Sequence, residues 1–116
     1  MTAIDPITLE IIFNALRSVT DETYAALMKS AYSKNINERH DHSTAVMDPN
    51  GRLVAQSAGS LPIHIASMSG LMSALFEKFE GDIFVSNDPH EAGGTHLPDI
   101  NLAMPVFVDG EIHSFV

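Results

Sequence analysis

The sequence contains no cysteine and no tryptophan. Without cysteine there is no disulfide framework and no zinc site built on thiolates, so any metal must be held by His, Asp or Glu. Positive charge is also scarce: 6 Lys and Arg stand against 15 Asp and Glu, giving a formal net charge of -9, and the few cations are scattered. Phosphate backbones are held by basic patches, so a nucleic-acid partner is not expected. No apolar run approaches the roughly 20 residues that cross a bilayer. The N-terminal MTAIDPITLE has no basic segment and no apolar core before Asp5 and Pro6, so a signal peptide is not expected. A cytoplasmic protein with no membrane partner is expected instead. There is no G-x-S-x-G elbow for a serine nucleophile, and Gly93-Gly94 lacks the lysine and spacing of a phosphate-binding P-loop.

What is present reads as one small α+β unit. Its 116 residues are 45% hydrophobic and 18% charged, an ordinary globular composition, although a chain of this size buries only about two-thirds of its unfolded surface. Asp5-Pro6 is a helix start, because the carboxylate can accept from first-turn N–H groups and proline tolerates the first position. Apolar residues at three- and four-residue steps then predict a long amphipathic helix to about Ser30, with Asn14, Arg17, Ser18, Asp21 and Lys29 on its polar face. SKNINERHDHS is aperiodic and polar, and reads as a loop. STAVMDPNGRLVAQS reads as a β-hairpin turning at Asp48, Pro49, Asn50 and Gly51. From Ile65 the residues Met68, Leu71, Met72, Leu75, Phe76 and Phe79 predict a second helix, read as core packing and ended by Gly81. DIFVS is a short strand, Ser86 to Ile100 a loop, and INLAMPVFVDGEIHSFV a strand, an Asp109-Gly110 turn and a returning strand. A chain that stops in an apolar strand is expected to belong to something longer.

The chemistry is concentrated in two loops. SNDPHEAGGTHLPDI carries Asp88, His90, Glu91, His96 and Asp99 around Gly93 and Gly94. His96 and Asp99 are two residues apart with a proline between them, a spacing that a tight turn can fold onto one ion, and nitrogen with oxygen donors suits Zn, Mn or Fe(II) better than Ca. Taken alone, His-x-x-Asp is a weak signal, and a chance occurrence on a polar loop is the better reading of it. The second loop, NERHDHS, offers Glu38, His40, Asp41 and His42. If the two loops converge, Asp41, His96 and Asp99 give three ligands and leave positions for water or substrate. His40 and His42 are read as solvated beside Asp41. His64, flanked by apolar residues, is read as a buried, hydrogen-bonded histidine, with a proton carrier or substrate contact as the alternative. His113 is explained by strand alternation, and His90 is left open.

In order along the chain, DPITLEIIFNALRSVTDE, AYSKNINERHDHSTAVMDPNGRLVAQ, LPIHIASM and NDPHEAGGTHLPDINLAMPVF resemble the N-terminal part of the hydantoinase B family. That family includes the B component of N-methylhydantoinase, the matching half of 5-oxoprolinase and the alpha subunits of acetone-type carboxylases. The resemblance implies that residues 1–116 are the N-terminal segment of a longer B-type domain. It implies a hydantoinase A-type partner that binds ATP and phosphorylates the carbonyl oxygen of a small cyclic amide or ketone. The B-type component then completes ring-opening hydrolysis or carboxylation with help from a divalent metal, Zn or Mn. The family's ligands fall on Asp41, His96 and Asp99, with a further histidine expected beyond Val116, and His64 is carried as a catalytic candidate. The sequence departs from the family at ERHDHS, where Arg and then an aromatic more often surround the Asp, so the exact substrate is not implied. Such a segment is expected to be inactive alone and to work in a hetero-oligomer. The rival expectation is a stand-alone, non-catalytic α+β domain that binds a partner chain.

Overall fold

A computed structural model describes residues 4–78 and 83–116. The first helix, α1 (Pro6–Ser30), begins as expected: Asp5 is the N-cap, its carboxylate accepts from the N–H groups of Ile7 and Thr8, and Pro6 fills the first turn. The hydrogen bond from the Thr8 hydroxyl, with those backbone donors, holds the Asp5 carboxyl below its usual range. A four-residue helix, α2 (Lys34–Asn37), lies inside the stretch expected to be loop. Asn and Lys there have no periodicity to announce a single helical turn, which is closed by Asn37 N–H to Ser33 and Glu38 N–H to Lys34.

The predicted hairpin forms from β1 (Ala45–Met47) and β2 (Leu53–Gln56), antiparallel. Asp48 organises its turn by accepting from the N–H groups of Asn50 and Arg52, while Gly51 takes the positive φ of 76°. The second predicted helix is α3 (Pro62–Lys78), beginning three residues before Ile65 because Pro62 supplies a first-turn position. His64 therefore lies within its first turn rather than ahead of it. Phe79 and Gly81, where the helix is expected to end, lie outside the described residues.

Strand β3 (Phe84–Ser86) pairs with β4 (Asn101–Ala103), and β5 (Pro105–Val108) pairs with β6 (Glu111–Phe115). The expected single strand of INLAMPVFV is thus two, in separate sheets: one is β3-β4 and the other runs β2-β1-β6-β5. The crossing falls at Met104, whose N–H donates to the Val116 carbonyl at 2.8 Å and whose carbonyl accepts from the Val116 N–H at 2.9 Å. Pro105, lacking an N–H, is tolerated as the first residue of β5.

One core joins the layers. Leu71, Met72 and Leu75 of α3 pack with Ala45 and Met47 of β1, Phe115 of β6, Ala103 of β4 and Ala92 from the long loop. Phe115 is 1% exposed and meets Phe76 edge to face at 5.7 Å; burying such a side chain contributes about 1.5–3 kcal/mol. The fold is α+β, as expected.

The behaviour of α1 departs from expectation. Thr20 is its buried residue, whereas of the apolar steps Ile12 is 45% exposed, Val19 47% and Leu27 40%. The apolar steps read as a core-facing stripe leave much of their surface uncovered in this chain. No helix among the described residues is long and apolar enough to cross a membrane.

Candidate functional site

From Asp41 to Thr44, leading into β1, burial alternates from residue to residue. His42 and Thr44 are buried, while Asp41 is exposed and Ser43 half-buried. The buried pair is held by α1. Thr44 donates its hydroxyl proton to the Thr20 carbonyl at 2.8 Å. The His42 ring stacks on Tyr24 with centroids 3.8 Å apart, and its Nε2 lies 3.1 Å from the Tyr24 carbonyl. His42 is thus a packing residue and not the solvated histidine expected from its polar surroundings; its aromatic partner is 18 residues away in sequence and invisible to local pattern. His40 is exposed, as expected, and adopts φ 58°, a left-handed turn of the kind with which helices end.

The other two side chains of this segment meet α3. Ser43 Oγ accepts from the Leu61 N–H at 2.8 Å and lies 3.1 Å from His64 Nδ1. On the far side of the ring, His64 Nε2 stands 3.5 Å from Asp41 Oδ1, within ion-pair range and longer than a direct hydrogen bond. The His64 side chain is 16% exposed and that of Asp41 50%. The expectation of a largely buried, hydrogen-bonded His64 describes this geometry, with the addition of a carboxylate at its open edge.

The long loop is built around Asp88, whose carboxylate accepts from His90 N–H at 2.7 Å and Glu91 N–H at 3.1 Å. That gives the Asp88 side chain a structural role in the turn. Gly93 has φ 70°, and a Cβ placed on it would stand 2.5 Å from Gly70 Cα and 3.0 Å from the Ser67 carbonyl oxygen. The close approach for which the Gly-Gly pair is suited is therefore to α3. Both loops are anchored at that helix, one at Leu61, just before it, and at His64 in its first turn, the other at Ser67 and Gly70.

Beyond Gly94, Thr95, His96 and Asp99 form a small cluster. His96 Nδ1 lies 3.3 Å from Asp99 Oδ2, and Thr95 Oγ1 donates to that oxygen at 2.6 Å while standing 3.0 Å from the same ring nitrogen. The Asp99 N–H closes the turn on the His96 carbonyl. His96 is well exposed and Asp99 half-buried, so one edge of the pair faces outward.

Of the predicted site residues, the structure brings His96 to Asp99 and Asp41 to His64. An imidazole nitrogen beside a carboxylate oxygen is the donor chemistry of a Zn or Mn site. The donor count falls short: among the described residues no group of three or more His, Asp or Glu is placed to hold one ion. Asp41 is not gathered with His96 and Asp99. The residues that sequence reasoning passed over are Ser43 and Thr95, hydroxyls adjacent to predicted groups whose only sequence signal was that adjacency.

Comparison with known proteins finds relatives that the chain matches along nearly its whole length. The 5-oxoprolinase of Dictyostelium discoideum is 38% identical over 120 residues, covering 99% of this chain and 9% of that protein. The 5-oxoprolinase of Saccharomyces cerevisiae is 39% identical over 119 residues, with 97% and 9% covered. A protein of Pseudomonas sp. (strain NS671), provisionally named as the B-type component of a D-/L-hydantoinase, is 30% identical over 120 residues, with 97% and 20% covered. The chain thus spans about a tenth of the 5-oxoprolinases and a fifth of the hydantoinase component. Residues 5–116 match one family throughout, and the chain belongs to the Hydantoinase B/oxoprolinase family.

Proposed function

We propose that residues 1–116 form the N-terminal segment of a B-type domain that hydrolyses the C–N bond of a small cyclic amide in an ATP-dependent, cytoplasmic amidohydrolase. In this reading an A-type partner or half binds ATP and phosphorylates the substrate, and this segment supplies part of the metal-bearing side. Hydrolysis is preferred to carboxylation because the named relatives are 5-oxoprolinases and a hydantoinase component. His96 and Asp99 are the proposed ligands of a divalent ion, Zn or Mn, with Asp41 as the third, and His64 is the proposed catalytic residue of the group.

The observation that carries the site is the His96–Asp99 pair, two unlike donors 3.3 Å apart at the exposed end of a loop fixed on α3. His64 enters on its position between a hydroxyl and a carboxylate, a setting in which an imidazole can hold a proton at a defined nitrogen.

The decisive measurement is metal content of the full-length protein and of its His96→Ala and Asp99→Ala variants. The expected result is one divalent ion per B-type domain in the parent and loss of most of it in both variants. Unchanged stoichiometry in both variants would remove these residues from any metal site.

A further inference from the structure

We infer that the outer face of the β3–β4 ribbon is an internal packing surface of the B-type domain, covered by a layer built from the stretch of the same chain that follows Val116. The inference rests on the reading above, which makes residues 1–116 the first segment of such a domain. Strand pairing sets Val85 directly opposite Leu102. Opposed residues project from one side of a ribbon, and side chains alternate sides along each strand. Ile83, two residues before Val85, and Ile100 and Met104, two residues to either side of Leu102, therefore extend that face. Exposure follows the same alternation: these five residues are between 45% and 66% exposed, whereas Asn101 and Ala103 are buried and Phe84 packs on the core.

An antiparallel sheet with one side in water carries polar residues on that side. Strand β6 does so, and its exposed residues are Glu111 and His113. The outer face of β3–β4 instead presents five apolar side chains and no charge, the composition of a permanent interface, which resembles a domain core cut in half. Two separate chains hold together with roughly 20–30 residues a side, far more than this face offers, and a formal net charge of -9 sets two copies against each other. A covering layer on the same chain needs no such area, because its docking forfeits little translational and rotational freedom. The relatives supply the length, since the matched part is 9% of one and 20% of another. Ile100 directly follows Asp99, so the cover lies beside the loop that carries His96 and Asp99.

The test uses the full-length protein grown with diazirine-bearing analogues of leucine and methionine, which on illumination insert into whatever lies beside Leu102 and Met104. No residue is exchanged for one of different shape, so folding is not put at risk. Mixing isotopically light and heavy protein before illumination separates links within one chain from links between copies. The expected result is links from both positions to residues beyond Val116 of the same chain. Links between light and heavy chains would assign the face to a second copy, and links to the A-type partner or half would assign it to that component. Diazirines consumed by water at both positions would leave the face bare. Each of these three results overturns the inference. Metal content and ATP-dependent hydrolysis of a cyclic amide are read on unlabelled protein: their absence overturns the proposed function, while the links still decide what covers the ribbon.

Discussion

At the residue scale, the chemistry of this chain depends on side chains held from behind. Asp41 and His64 meet because His42 and Thr44, the alternate residues of the same segment, are anchored to α1. The same logic holds for His96 and Asp99, whose loop is fixed by the contact of Gly93 with Gly70. That contact has no room for a methyl group, with 2.5 Å between a new Cβ on Gly93 and Gly70 Cα, and Gly93 also holds φ 70°. Gly93→Ala combines backbone strain with overpacking against main chain that cannot rotate away, each worth about 1–3 kcal/mol. The expected outcome is a clear drop in the urea unfolding midpoint of Gly93→Ala, with Gly94→Ala less affected because its new Cβ would stand 3.1 Å from its nearest neighbour. Equal stability of Gly93→Ala and parent would mean that the loop does not lie on α3. Sequence alone licenses a close approach at this glycine pair but does not name its partner, because Gly70 lies in a helix whose periodicity marks only apolar positions.

At the scale of elements, α1 is tied to the hairpin through polar contacts. Asp21 accepts from the Ala58 N–H at 2.9 Å just beyond β2. That bond, followed by one from the Ser57 hydroxyl, holds the Asp21 carboxyl below its usual value of 3.8. A carboxyl whose folded-state pKa is depressed contributes stability above its unfolded value and loses it as pH falls through the folded one. Stability is therefore expected to decline on acidification through and below the usual value of 3.8, and less steeply in Asp21→Asn, followed by the urea midpoint at each pH. An identical acid limb in the variant would rule out Asp21 as a contributor. Elements with internal signals are legible in the sequence: the Asp5-Pro6 helix start, the Asp48 to Gly51 turn and the Leu71, Met72, Leu75 stripe all lie where the local pattern puts them. The single turn of α2 and the division of INLAMPVFV at Met104 are not legible. The first has no periodicity to announce it, and the second is decided by a partner distant in sequence, Val116. The burial of His42 is hidden for the same reason, since a polar neighbourhood in sequence says nothing of Tyr24.

At the scale of the whole molecule, the notable property is apolar surface without cover on α1. Ile7, Leu9, Ile11, Ile12 and Phe13 are each exposed, and Phe13 also lines a groove of about 330 Å³ with Arg17 and β2 residues Leu53 and Val54. Exposed apolar side chains in this number along one helix are uncommon on a monomer that stays dispersed, because water is shed when such surfaces meet. A net charge of -9 opposes close approach of copies, but its effect is screened beyond about 10 Å at 0.1 M salt, while the apolar contact is not. Residues 1–116 prepared alone are therefore expected to bind an apolar dye strongly and to associate more as salt is raised. Leu9→Ser with Phe13→Ser should reduce both, since each change exchanges exposed apolar area for a hydroxyl while touching no buried core residue. The measurements are dye fluorescence and light scattering across a salt series. A parent segment that remains monomeric and dye-free at high salt would show that α1 folds its apolar residues away from solvent.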